Sequence, residues 1–238
     1  MNYSSNETVT APQVASYDIG LRNFMLQVYN YMTVALALSG ATALGVYMIP
    51  ELSAAIWGTG LKWVVVFLPL VLSFGFAFLF EKMSLQMAKI ALLVFAVAMG
   101  LSLSSIFLIY KMGSIAQVFF ISAATFGSAS LYGYTTKKDL TTFGSFLIMG
   151  AMGIVIAGLV NLFLQSSILA FAVSCIAVVV FTGLTAYDTQ NLKNTYEFTV
   201  CDDDEQEKLG IYGALQLYLD FINIFMSLLQ LLGDKKND

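Results

Sequence analysis

"GALQLYLDFINIFMSLLQLL", residues 213–232, is long and apolar enough to cross a bilayer, yet it carries a carboxylate near its middle. A helix of about 20 residues spans roughly 30 Å of hydrocarbon. Gln216, Asp220, Asn223 and Ser227 recur at intervals of four, three and four. On a helix they form one polar stripe among Leu, Ile, Phe and Tyr, and such a stripe faces protein or water rather than lipid. A second stripe precedes it. "FTGLTAYDTQ", residues 181–190, follows an uncharged run from Ile168 to Val180 and contains Thr182, Thr185, Asp188 and Thr189. An unpaired carboxylate in hydrocarbon costs several kcal/mol, so the two stripes are expected to face each other or a shared hydrated cavity.

Depth constrains that pairing. At 1.5 Å per residue, Asp188 lies roughly 30 Å along a helix that starts at Ile168, whereas Asp220 lies about 16 Å in from Leu209. The two meet only if the sixth helix runs on past Asp188, to about Asn194, and "TQNLKNTY" is amphipathic enough to do so.

The rest of the chain fits the same class. Of 238 residues, 58% are hydrophobic and only 11% charged, with mean hydropathy +0.79, whereas soluble domains have roughly a quarter of their residues charged. Apolar stretches near 25–49, 61–80, 88–110, 116–134, 143–164, 168–190 and 209–232 predict an all-α integral membrane protein with seven transmembrane helices. The expected organisation is a polar N-terminal tail over 1–22, a seven-helix domain over 23–233 and a short C-terminal tail over 234–238. Pro50 and the Gly58-Thr59-Gly60 turn are expected to break the first hairpin. The first apolar run is about 25 residues, longer than the roughly 7–15 of a signal-peptide core, so it is expected to remain as a span. Gly144, Gly150, Gly153 and Gly158 in the fifth span, with Gly40 and Gly45 in the first, are expected to let helix backbones approach closely.

Several chemistries are excluded. There is no basic surface for nucleic acid: the net charge is −4, and much of the acid sits in "CDDDEQEK" at 201–208. Zinc needs three or four N or S ligands, but the chain has no histidine and only Cys175 and Cys201. Cys175 reads as a small buried side chain. Counted by side, Arg22, Lys82, Lys89, Lys137, Lys138, Lys193 and Lys208 fall with the N terminus; Lys62, Lys111, Lys235 and Lys236 fall opposite. The positive-inside rule then puts the N terminus in the cytoplasm and, with seven spans, the C terminus outside.

Two carboxylates within a few ångströms of each other do not both ionise cheaply, so an Asp188–Asp220 pair is expected to hold one proton or one cation. Asp oxygens suit Ca²⁺, and Asn223 or Gln216 could add neutral oxygens. Thr182, Thr185, Thr189, Gln216, Asn223 and Ser227 are the expected polar lining. The plainer alternative is that Asp188 ends its helix at the interface and Asp220 is a hydrogen-bonded member of the bundle.

"FTGLTAYDTQ" and "LYLDFINIF", with "SLYGYTTKKDL" at 130–140, "GLSLSSIFLIY" at 100–110 and "LRNFMLQVYNYMTVALALSG" at 21–40, resemble the Bax inhibitor-1 family in its bacterial, YccA-like branch. The resemblance runs from about Leu21 to Gly233. It implies a central last helix ringed by the others and a pH-sensitive calcium leak channel in a bacterial inner membrane, with no cofactor beyond the Ca²⁺ that passes. The sensing pair carries over to Asp188 and Asp220. Some relatives latch the first aspartate with an arginine from the second helix; the only arginine here is Arg22, and Lys82 is the candidate substitute. The acidic run Asp202, Asp203, Asp204, Glu205 and Glu207 is expected as a long solvated loop.

Two other functions compete. Paired intramembrane aspartates also resemble presenilin-type aspartyl proteases, but "YLD" stands where those carry Gly-x-Gly-Asp, and no proline follows Asp220, so the expectation is no enzyme. Bacterial relatives also bind and restrain a membrane-anchored ATP-dependent protease, a role for which the polar segment 1–22 would be the handle.

Overall fold

The computed structural model describes the backbone of residues 11–198 and 202–236, with side chains from 19–196 and 202–236. Helix α1 covers Ala11–Met48, so residues 11–22 lie in its first turns. Pro50 opens a short helix α2, Pro50–Trp57, rather than simply breaking the chain, because the first helical position needs no amide donor. Ile56 of α2 is buried with Val46 and Val65, which anchors the hairpin. Helix α3, Leu61–Leu79, runs through Pro69 into a 3-10 turn, Phe80–Lys82. Helix α4, Leu85–Leu103, starts at Ser84, whose hydroxyl accepts the Met87 amide at 3.3 Å.

The third span is interrupted at Ser104-Ser105 before one further turn, α5, Ile106–Ile109. The Ser104 hydroxyl donates to the Leu101 carbonyl (2.6 Å) and accepts from Trp57 Nε1 (3.0 Å), so α2 is stapled to the break. Helices α6, Met112–Thr135, and α7, Thr141–Leu164, follow. Gln165 ends α7 in the left-handed region at φ 49°. Helix α8 covers Ser167–Phe198 and α9 covers Asp203–Leu232.

Seven of these helical segments are long and apolar enough to cross a membrane. In the span formed by α9, 61% of the most apolar window is buried inside the protein, against 6% for the span formed by α7. The last helix is therefore the axis of the bundle, packed by α8, α1, α6 and α4, and α7 is an outer wall reached through α8.

Two expectations are corrected. The acidic run is not a loop: Asp202 caps α9, its carboxylate accepting the Asp203 amide at 2.9 Å, and Asp203, Asp204 and Glu205 form the first turn. Acids are favoured there by the unpaired amides and the positive end of the helix dipole. Glu207, half-buried, is not a free solvated charge: it pairs with Lys89 of α4 at 2.8 Å and accepts from the Tyr31 hydroxyl of α1.

The glycines are corrected in part. A Cβ on Gly144 would strike the Tyr187 ring at 2.2 Å, and one on Gly150 would press on Val180 at 3.3 Å, so these two do sit at a helix contact. Gly40, Gly45, Gly153 and Gly158 face open space instead. The tightest approaches to the backbone of another helix occur at Gly133, where a Cβ would meet the Ala186 carbonyl at 2.1 Å, and at Gly100, where one would lie 2.6 Å from the Ser39 carbonyl.

At the end of the bundle opposite the N terminus, the chain beyond α9 folds back. The Lys111 amide donates to the Asp234 carbonyl (2.9 Å), the Lys236 amide to the Ile109 carbonyl (2.9 Å) and the Asp234 amide to Ser114 Oγ (2.9 Å). Lys236 Nζ reaches the Phe107 carbonyl at 2.7 Å and lies 4.8 Å from the Tyr47 ring centroid.

Candidate functional site

Helix α8 continues ten residues past Asp188 to Phe198, the extension that a pairing with Asp220 requires. It runs antiparallel to α9. Leu192 packs so closely on Gly213 that a Cβ there would come within 2.3 Å, and Ser174 donates to Gln230 Oε1 at 2.7 Å on the other side. Between these contacts the carboxyl groups of Asp188 and Asp220 come within hydrogen-bonding reach of each other. Asp220 is 4% exposed and Asp188 half-buried. Asp220 Oδ2 is fully buried and has no hydrogen-bond donor among the described residues.

No ion pair joins a lysine or arginine to either aspartate among the described residues. Arg22 is exposed on α1, facing a cavity between α1 and α6, and Lys82 is exposed in the turn after α3, so neither candidate latch touches Asp188. Buried carboxylates without cations must be satisfied by each other, by a proton or by a mobile ion. No group of three or more His, Cys, Asp and Glu side chains is assembled among the described residues. Cys175 is a free, half-buried thiol, and Cys201 lies outside the described residues.

The expected polar lining divides. Thr182 Oγ1 is buried without a partner among the described residues. Thr185 donates to the Phe181 carbonyl at 2.8 Å, as threonines do when they satisfy themselves within a helix. Thr189 faces α6 rather than the α9 stripe. Its hydroxyl donates to the Thr185 carbonyl (2.7 Å), so it must accept from Ser130 Oγ (3.0 Å), and Ser130 in turn accepts from Tyr29 of α1. Asn223 donates to the Leu219 carbonyl at 2.8 Å and, with Ser227, Gln230 and Ser174, lines a separate cavity of about 290 Å³ toward the opposite end. Gln216 is half-buried.

Two residues near the pair escaped the sequence reading. Gln190, 8% exposed, accepts the Leu140 amide and donates to the Lys138 carbonyl, both at 2.8 Å, which ties α8 to the α6–α7 connection just beyond Asp188. It closes the quoted "YDTQ", but a lone Gln gives no signal of its partners. Tyr218, fully buried, stands two residues before Asp220 and donates to Ser39 Oγ at 2.7 Å. Ser39 passes its proton to the Ala35 or Ala96 carbonyl, so α9 is held to α1 and α4 beside the acid.

A seven-helix membrane bundle whose central helix shares a buried acid pair with its neighbour is a narrow class. The sequence profile of the family described as "Inhibitor of apoptosis-promoting Bax1" (Bax1-I) matches residues 21–237. The chain belongs to this Bax inhibitor-1 family. It is 44% identical over 237 residues to uncharacterized protein RP147 of Rickettsia prowazekii, covering 100% of both chains. It is also 43% identical over 223 residues to inner membrane protein YbhL of Escherichia coli K12, covering 91% of this chain and 94% of the relative. An uncharacterized protein of Caulobacter vibrioides is 42% identical over 230 residues, with 93% and 92% covered.

Proposed function

We propose that the protein lets cations, Ca²⁺ among them, leak across a bacterial inner membrane under the control of protons held at Asp188 and Asp220. The observation that carries this reading is Asp220 Oδ2: a buried acceptor without a donor, on a carboxyl within reach of a second carboxyl. Two acids so placed hold one proton or one cation between them. Protonation removes the cation site and biases α8 against α9, so the ion and the proton compete for one pair of side chains. The relative named as an inner membrane protein supports the location, and the lysine and arginine count supports a cytoplasmic N terminus.

The test is Ca²⁺ entry into dye-loaded proteoliposomes across a pH series. Wild-type flux is expected to change with pH, and Asp220→Asn and Asp188→Asn are each expected to flatten that dependence. An Asp220→Asn protein with the full wild-type pH response overturns the proposal.

A further inference from the structure

Helices α1 and α6 both pack on α9 but hardly on each other. The gap between them is a chain of three adjoining cavities of about 500, 520 and 360 Å³. The first and second share Tyr29 and Phe126; the second and third share Leu36, Gly40, Phe119 and Phe221. The result is one cleft that opens sideways, floored by Phe221 and Phe225 of α9. From Arg22 to Gly40 it follows about 27 Å of helix, most of a bilayer core.

Its walls are apolar and its one charged member is at an end. Arg22 lines the mouth at the start of the α1 span, exposed and without an ion pair among the described residues. Tyr134 lies across the mouth, and the Lys193 ammonium sits 5.6 Å from its ring centroid. No carboxylate lines this cavity. About 10 Å deeper along α1, the Tyr29 and Ser130 hydroxyls meet, and below them the lining is aliphatic and aromatic except for Thr33 and Ser39, whose hydroxyls donate to helix carbonyls. Cation at the surface, hydroxyls at ester depth and a smooth apolar slot beneath match the order of groups in a phospholipid.

We propose that the α1–α6 cleft is a binding site for an anionic phospholipid of the N-terminal leaflet. Its phosphate lies against Arg22, and one acyl chain fills the slot past Tyr29 and Phe126 to Gly40. Charge complementarity selects this occupant. A second copy of the chain, the competing occupant, would give a dimer that does not depend on phospholipid. Basic residues near a membrane surface attract anionic headgroups by about 1 kcal/mol each, about a fivefold change in affinity.

The test uses the full-length protein in detergent, titrated with palmitoyl-oleoyl phosphatidylglycerol or with phosphatidylcholine of the same chains, and read by native mass spectrometry. One phosphatidylglycerol per chain is expected to bind in preference to phosphatidylcholine. Arg22→Gln is expected to weaken phosphatidylglycerol about fivefold and leave phosphatidylcholine unchanged. A Gly40→Leu, Gly127→Leu double variant fills the slot, and is expected to fold because a Cβ at either position meets nothing within 4 Å. It is expected to retain neither lipid. Equal binding of the two lipids by wild type, or undiminished phosphatidylglycerol binding by the filled variant, overturns the proposal. So does a wild-type dimer without lipid that the filled variant dissociates. If the double variant does not fold, the Arg22→Gln titration alone decides.

Discussion

Asp220 is surrounded by apolar side chains on a helix that is otherwise the best-packed element of the protein, and its neighbours explain why it is tolerated. Tyr218 fixes the helix at Ser39, and Asp188 faces the acid from α8. The same closeness of backbones makes single glycines decisive. At Gly133 a methyl group would enter the Ala186 carbonyl, a backbone atom that cannot rotate away. Gly133→Ala is expected to destabilise the protein by about 1–3 kcal/mol, as overpacking does. Gly153→Ala, with open space around it, is expected to leave stability within about 0.5 kcal/mol or to raise it. Melting of the two variants in detergent checks the pair, and an equal response would refute the contact. Both glycines lie in apolar helices, and nothing in sequence separated them. The distinction arises from which turn of α6 or α7 faces α8.

Helix α9 is held at both ends by side chains from other elements. At its N-terminal end, Glu207 joins Lys89 of α4 and Tyr31 of α1. Lys208 donates to the Glu81 carbonyl at 3.1 Å and lies over the Phe80 ring at 5.0 Å. Glu207→Gln keeps a partner for Tyr31 but removes the charge facing Lys89. Because that pair is partly solvated, the expected loss of thermal stability is small and vanishes in high salt, where the Debye length is short. A loss that persists in high salt would refute a merely solvated, screened ion pair as what Glu207 contributes to α9. The acidic run was legible as a charge cluster but not as a cap, since capping depends on where the chain turns upward. By contrast the polar stripe and the continuation of α8 were both legible, because helical period and depth are properties of the sequence.

At the scale of the whole molecule, seven spans put the two ends of the described chain at opposite faces of the bundle. On the proposed cytoplasmic placement of the N terminus, an alkaline phosphatase fused after Asp238 is expected to be active in the periplasm, and a fluorescent protein there is expected to be dark. A bright cytoplasmic fluorescent fusion would reverse the sidedness. The fold-back of residues 234–236 onto Ile109, Lys111 and Ser114 leaves Lys236 exposed at the bundle surface.

Composition and period alone determined that this chain is a seven-helix membrane protein, and they raised the expectation that Asp188 and Asp220 meet. Those properties are local: hydrophobic length sets a span, and 3.6-residue spacing sets a face. Tertiary structure alone decided that the acidic run caps α9, that Gly133 and not Gly153 touches a neighbour, that no lysine or arginine pairs with the acids among the described residues, and that α1 and α6 stand apart over a cleft. The cap depends on where the chain turns into α9; the others depend on which helices become neighbours, and that is fixed by packing between segments far apart in the chain, as with Gly133 and Ala186, Tyr29 and Ser130, or Ser39 and Tyr218.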